Sequence, residues 1–292
     1  MLDTQDTLPT RSQTPWRRFW ERGDWWRALL LTVVYYGVYQ LLSLLVGAVF
    51  GEEGGIRGAA GSAMDVFIGT ALPIILGVGV LLAFAASLGW LKELFGPQPV
   101  RGRRWMWVGI VVVLVVNVSA LLSVDFDDAG AALIASWLFT GLFVGIAEEL
   151  LTRGFVVNLM RKAGRGEIVV ALVSAGLFAA MHAGNFFTSD QDLPTTALQV
   201  VYTFFFGIIM YLALRLTGRL IWPILLHAST DPSLFLFSEH ATKGNPLVII
   251  PSFSTYLVIV TGAVLLIVFI VSERRRTRRA AAIDPIMRPH FS

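Results

Sequence analysis

The sequence predicts an all-α, polytopic membrane bundle of about eight transmembrane helices, and three observations carry that prediction. Of 292 residues, 55% are hydrophobic and only 15% charged, against roughly 25% charged in an ordinary soluble domain. The charge is absent from long tracts rather than thinned everywhere, and the polar breaks between those tracts alternate in sign. Leu29 to Phe50, Val66 to Leu91, Trp107 to Val124 and Thr255 to Val271 hold almost no ionisable side chain. Each is long enough to cross about 30 Å of hydrocarbon as a helix. A backbone in lipid must satisfy its own hydrogen bonds, so the tracts are read as helices.

The first span is expected at 27–50. Ahead of it, Arg11, Arg17, Arg18 and Arg22 accompany Trp16, Trp20, Trp25 and Trp26, the composition of an uncleaved signal anchor whose tryptophans sit at a membrane interface. The Gly51 to Asp65 break, with Glu52 and Glu53, leads to a second span at 66–91. Arg101, Arg103 and Arg104 precede the third, 105–124, and Asp125, Asp127 and Asp128 follow it. The fourth, 131–151, is followed by Arg161, Lys162 and Arg165, and the fifth, 168–187, by Asp190 and Asp192. The sixth, 196–214, gives way to Arg215 and Arg219, and the seventh, 220–237, to the weakly charged Glu239 to Lys243 loop. The eighth, 255–272, closes on Arg274, Arg275, Arg276, Arg278 and Arg279.

Every second break is basic, so the positive-inside rule places both ends and the breaks near 100, 163 and 217 in the cytoplasm. Residues 1–24 and 274–292 are read as cytoplasmic segments, flexible except where the tryptophans hold an interfacial helix, around a transmembrane domain of 25–273. The expected location is a bacterial cytoplasmic membrane. The formal charge of +3 is scattered over short loops and tails, which points to the lipid bilayer as partner and not to nucleic acid. The chain has no cysteine, which excludes disulfides, thiol catalysis and cysteine-based zinc sites.

Against this apolar background stand Glu148, Glu149, Arg153, His182, His227 and Asp231. A charged side chain at the centre of a span costs about 2.5 to 3.5 kcal/mol on insertion scales, so such groups persist where they are paired, face a cavity or serve a function. Glu149 and Arg153 are four apart with the acid first, the favourable order for an ion pair on one helix face. Glu148 points about 100° away and is left for other work. Phe178 with His182, and His227 with Asp231, are also four apart. Asp231 precedes Pro232, so a kink or break is expected there. The bland readings are a helix-stabilising Glu149–Arg153 pair and two isolated packing histidines. His240 and His290 lie outside the spans.

At these positions the chain resembles the CAAX protease and bacteriocin-processing family of intramembrane endopeptidases, which includes the type II CAAX prenyl endopeptidases. The Glu-Glu-x-x-x-Arg element is matched by Glu148, Glu149 and Arg153, the Phe-x-x-x-His element by Phe178 and His182, and the final His-x-x-x-Asn/Asp element by His227 and Asp231 after a Thr217-Gly218 turn. The resemblance spans about residues 130 to 235. Thr152 stands where the family often has an aromatic residue, and Asp231 where asparagine is frequent. An ionised aspartate accepts hydrogen bonds only, which sets it apart from an oxyanion donor.

The resemblance implies a peptidase with Glu148 as general base, His182 helping to hold the water, and His227 donating to the tetrahedral intermediate while Asp231 accepts its other N–H. Glu149 would stay paired with Arg153. The substrate would be a membrane-associated peptide or a lipidated protein, of CAAX or bacteriocin type. No cofactor is required on this reading. The alternative is a divalent metal such as zinc held by Glu148, His182 and His227 with an open position for water. Two further alternatives are a catalytically idle immunity or scaffold protein and a proton- or ion-coupled transporter, for which the chain lacks the expected internal repeat. A span ending at 151 leaves Glu148 near the cytoplasm and His182 about 21 Å into the next span, so tilted or broken helices around a cavity open to the cytoplasmic leaflet are expected.

Overall fold

The computed structural model describes residues 14–51, 62–189 and 191–287. Arg11, Glu52, Glu53, Asp190 and His290 lie outside the described residues. The regular elements are helical: α1 (Pro15–Glu21), α2 (Trp25–Phe50), α3 (Ala63–Leu88), α4 (Arg104–Leu121), α5 (Ala131–Lys162), α6 (Glu167–His182), α7 (Leu193–Thr217), α8 (Ile221–Glu239) and α9 (Ser254–Met287). Among the described residues, seven helices are long and apolar enough to cross a membrane by length and composition, and α8 is not among them. The reason is its run of His227, Ser229, Thr230, Asp231 and Ser233 within 19 residues.

Even so, α8 joins the two ends of the bundle. At one end Gln98 N–H bonds to the carbonyl of Gly218 and Gly102 N–H to that of Arg215, just before α8 begins. At the other, Asp125 N–H bonds to the carbonyl of His240 and Thr242 N–H to that of Ser123, just after it ends. The basic breaks gather at the first end, where Arg161 reaches Gln98 (2.7 Å) and Glu167, Lys162 reaches Glu21 (2.7 Å), and Arg165 reaches Asp24 (2.8 Å). Arg215, buried there, pairs with Glu167 (3.0 Å) and Glu273 (3.1 Å).

α7 is the central post. Ile208 to Leu214 are almost fully buried, packed among α6, α9, α4 and α8. The outer surface is apolar: Val33, Leu41, Leu44, Leu45 and Val49 on α2, and Val260, Val264 and Ile267 on α9, are all exposed. An exposed apolar belt of this extent suits hydrocarbon and not water.

Three sequence expectations change. α5 does not end near 151 but runs to Lys162, with a π-helical segment over Leu150–Val156. Arg153 interrupts the apolar run in sequence, yet buried pairing lets the helix continue through it. α8 is unbroken at Pro232, because a proline removes one backbone donor without requiring the helix to stop. Finally, α9 carries helix past the eighth span into the basic tail, as far as Met287.

Candidate active site

Glu148 lies fourteen residues before Lys162 on α5, about 21 Å of helical rise, and His182 fifteen residues after Glu167 on α6, about 22 Å. Measured from the shared basic end, the two sit at the same depth. The mismatch expected from the sequence arose from cutting α5 short.

The π segment begins directly after Glu149. Its widened turn shows in the Val157 N–H, which reaches back five residues to the carbonyl of Thr152. The same carbonyl accepts from Ser174 Oγ on α6 at 2.9 Å. π segments occur often at functional sites because they redirect side chains that a regular helix would spread. Here Arg153 and Glu149 are turned inward together, both fully buried, with Nη1 of Arg153 3.1 Å from Oε1 of Glu149 and 2.5 Å from Thr152 Oγ1. The guanidinium also lies 4.6 Å from the centre of the Phe178 ring, a cation–π contact that shelters a charge in an apolar interior.

α8 brings the second half of the site. Its approach to α5 is close because of Gly141 and Gly145. A Cβ at Gly141 would stand 2.6 Å from Pro232 Cδ and 2.7 Å from the carbonyl oxygen of Ala228, and one at Gly145 would stand 2.6 Å from the carbonyl oxygen of Ile224. Small residues four apart let transmembrane backbones touch in this way. The consequence is that His227 sits between the two glutamates, with Nδ1 2.8 Å from Glu149 Oε1 and Nε2 3.4 Å from Glu148 Oε2. Asp231 Oδ2 is 3.9 Å from Nε2. Glu149 therefore makes the short hydrogen bond to the ring, where the sequence pointed to Asp231 as the orienting carboxylate. Glu149 accepts from Arg153 and His227 through one oxygen, a link that its i, i+4 spacing with the arginine does not reveal.

His182 faces the same region from α6, with its Nδ1 3.0 Å from the carbonyl of Phe178. That bond assigns the proton to Nδ1 and leaves Nε2 as an acceptor. His182 does not come within 4 Å of any carboxylate among the described residues. Phe178 is the packing hub of the site: its ring meets those of His182 and His227 edge-on at 4.9 and 5.8 Å. Glu148 and Asp231 keep 27% and 34% of their side-chain surface exposed, so both reach an open space while Glu149 and Arg153 do not.

Several contributors escaped the sequence reading. Phe206 on α7 packs edge-on against His227 at 5.0 Å, and Tyr202, one turn earlier, stacks on Phe206 at 5.9 Å. Asn117 on α4 donates to Ser229 and Thr230 at 2.9 Å each, two of the three residues inside the His227–Asp231 interval. Polar residues within apolar runs, Asn117 and Tyr202, were the available signal.

Among the described residues no three His, Asp or Glu side chains converge as ligands for one ion. His227 Nδ1 is held by Glu149 and His182 Nδ1 by a backbone carbonyl, which leaves one ring nitrogen on each. The three residues of the metal alternative, Glu148, His182 and His227, are thus not drawn together as a ligand cluster.

Residues 130–232, about a third of the chain, match the family model described as type II CAAX prenyl endopeptidase Rce1-like. The matched stretch runs from just before α5 to Pro232 on α8 and holds all six residues singled out above. No curated protein matches the chain.

Proposed function

We propose that the protein is an intramembrane endopeptidase that hydrolyses a peptide bond in a membrane-associated or lipidated substrate, with Glu148 activating the water. The Rce1-like match supports the peptidase class. The observation that carries the mechanism is the placement of His227 between Glu148 and Glu149, and helical rise puts His182 at a similar depth.

The water sits between the Glu148 carboxylate and Nε2 of His182. Glu148 takes a proton as the oxygen attacks the scissile carbonyl. A carboxylate only accepts, so Glu149 fixes the Nδ1 proton on His227. The imidazolium then presents Nε2–H to the developing oxyanion, its charge balanced by Glu149 and Asp231. Arg153 keeps Glu149 in place for that task. Collapse breaks the C–N bond, and Glu148 returns its proton to the departing amine. The site lies at mid-depth between apolar helices, which suits a substrate held at the membrane by a lipid or an apolar segment. With the basic breaks at one end, both termini face the cytoplasm.

The test compares peptide fragments from membranes holding wild type or Glu148→Gln, each with and without a strong chelator. Fragments lost in the variant alone, by a factor of at least about 100, are the expected result. Loss with chelator in wild type would replace the glutamate mechanism with a metal one. Equal fragments from wild type and variant, at equal expression, would defeat the peptidase reading.

A further inference from the structure

The site holds more acceptors than donors. Glu148, Glu149 and Asp231 are carboxylates, and His182 offers an acceptor at Nε2 because its Nδ1 proton goes to the Phe178 carbonyl. His227 alone among these faces the reacting centre with an N–H. Oxyanion sites set more than one donor on the developing charge, and a carboxylate at 231 supplies none.

Tyr202 on α7 is joined to His227 through the Phe206 ring. Its ring lies nearly parallel to that of Phe206, 5.9 Å away at 15°, and Phe206 meets His227 at 5.0 Å. The side chain is half-buried, and its hydroxyl is not among the buried side-chain atoms without a hydrogen-bond partner. It has no partner among the described residues, so it opens onto free space. α7 and α8 run antiparallel through the turn at Gly218, so Tyr202, one turn from Phe206, and Asp231, one turn from His227, are displaced toward the same end of the bundle. Polar groups inside a span are ordinarily partnered or functional, and this accessible hydroxyl has no partner among the described residues.

We infer that Tyr202 is a further catalytic residue, whose hydroxyl donates a hydrogen bond to the oxyanion beside His227 and supplies the donor that an aspartate at position 231 cannot. The inference rests on the peptidase reading. As water oxygen bonds to the carbonyl carbon and Glu148 takes its proton, the carbonyl π pair moves onto oxygen, which Tyr202 O–H and His227 Nε2–H hold without transferring a proton. When the C–N bond breaks, that pair re-forms the carbonyl and the amine takes the proton from Glu148. The phenol ends as it began.

The test uses the full chain in lipid vesicles with a quenched-fluorescent prenylated CAAX peptide as probe. Tyr202→Phe keeps the stacked ring and removes only the hydroxyl. It is expected to lower kcat by about 100- to 1000-fold with little change in KM, the signature of a lost transition-state donor. Asp231→Asn places an amide donor in the site, so in that background the same change is expected to cost less than about tenfold. Wild-type kcat in Tyr202→Phe, a change confined to KM, or equal losses in both backgrounds would overturn the assignment. Absence of Glu148-dependent cleavage by wild type would instead overturn the peptidase reading, and this inference with it. Thermal unfolding of each variant separates loss of the donor from loss of the fold.

Discussion

At the scale of single residues, the site depends on one buried carboxylate with two partners. Glu149 is fully buried and accepts from Arg153 and His227 through a single oxygen, while Oε2 has no partner. Arg153 likewise leaves Nε and Nη2 unpartnered, so the pair is held by mutual charge and the Phe178 face. Removing one member of a buried pair strands the other, at a cost of about 3 to 5 kcal/mol. Arg153→Ala is therefore expected to destabilise the protein by that amount in detergent unfolding. Adding Glu149→Gln should recover part of the loss, because the stranded charge goes with it. Additive losses in the double variant would show that the two residues are not coupled.

Among the helices, two irregular features place these residues. The π segment of α5 turns Glu149 and Arg153 into the interior, and Gly141 and Gly145 allow α8 to lie against α5 so that His227 reaches both glutamates. A Cβ at Gly141 would press on Pro232 and on the Ala228 carbonyl, and neither atom is the mobile end of a side chain. Gly141→Ala is expected to cost about 1 to 3 kcal/mol and to reduce the proposed peptidase activity further than that loss explains, by displacing His227. Thermal unfolding alongside kcat measures both. Unchanged stability would mean that the two helices part without strain.

At the scale of the whole molecule, the basic end is tied together by ion pairs that cross from the amino-terminal helix to the core. Glu21 accepts from Lys162 (2.7 Å), Trp90 (2.9 Å) and Arg17 (3.3 Å). Partial burial pushes its carboxyl upward, but these hydrogen bonds outweigh it and hold the group below the ordinary glutamate range. A depressed folded value means that the docking of α1 is at full strength above about pH 4.3, the unfolded value, and is lost as pH falls through the folded one. Amide exchange over Pro15–Glu21 is expected to stay slow at pH 6 and to accelerate on acidification below that range. In Glu21→Gln it should be fast throughout, and equal protection in the two proteins at pH 6 would exclude this anchor.

The sequence by itself determined what each local stretch dictates. Uncharged tracts of spanning length could only be helices in lipid, and the alternation of basic and acidic breaks set which helix ends share a side. The six ionisable residues stood out because each is expensive in an apolar run, and their order along the chain carried the family resemblance. Tertiary structure alone decided the rest. Whether α5 stopped at 151 or ran to Lys162 depended on whether Arg153 found partners, and those partners, Glu149 and the Phe178 ring, come from α5 and from α6. The pairing of His227 with Glu149 joins residues 78 apart in the chain, through a helix contact set by two glycines. Tyr202 is an uncharged polar residue in an apolar run, and only its stacking on Phe206, which meets His227, ties it to the site. Periodicity and cost are local properties, whereas a partner across the bundle is defined only once the helices have packed.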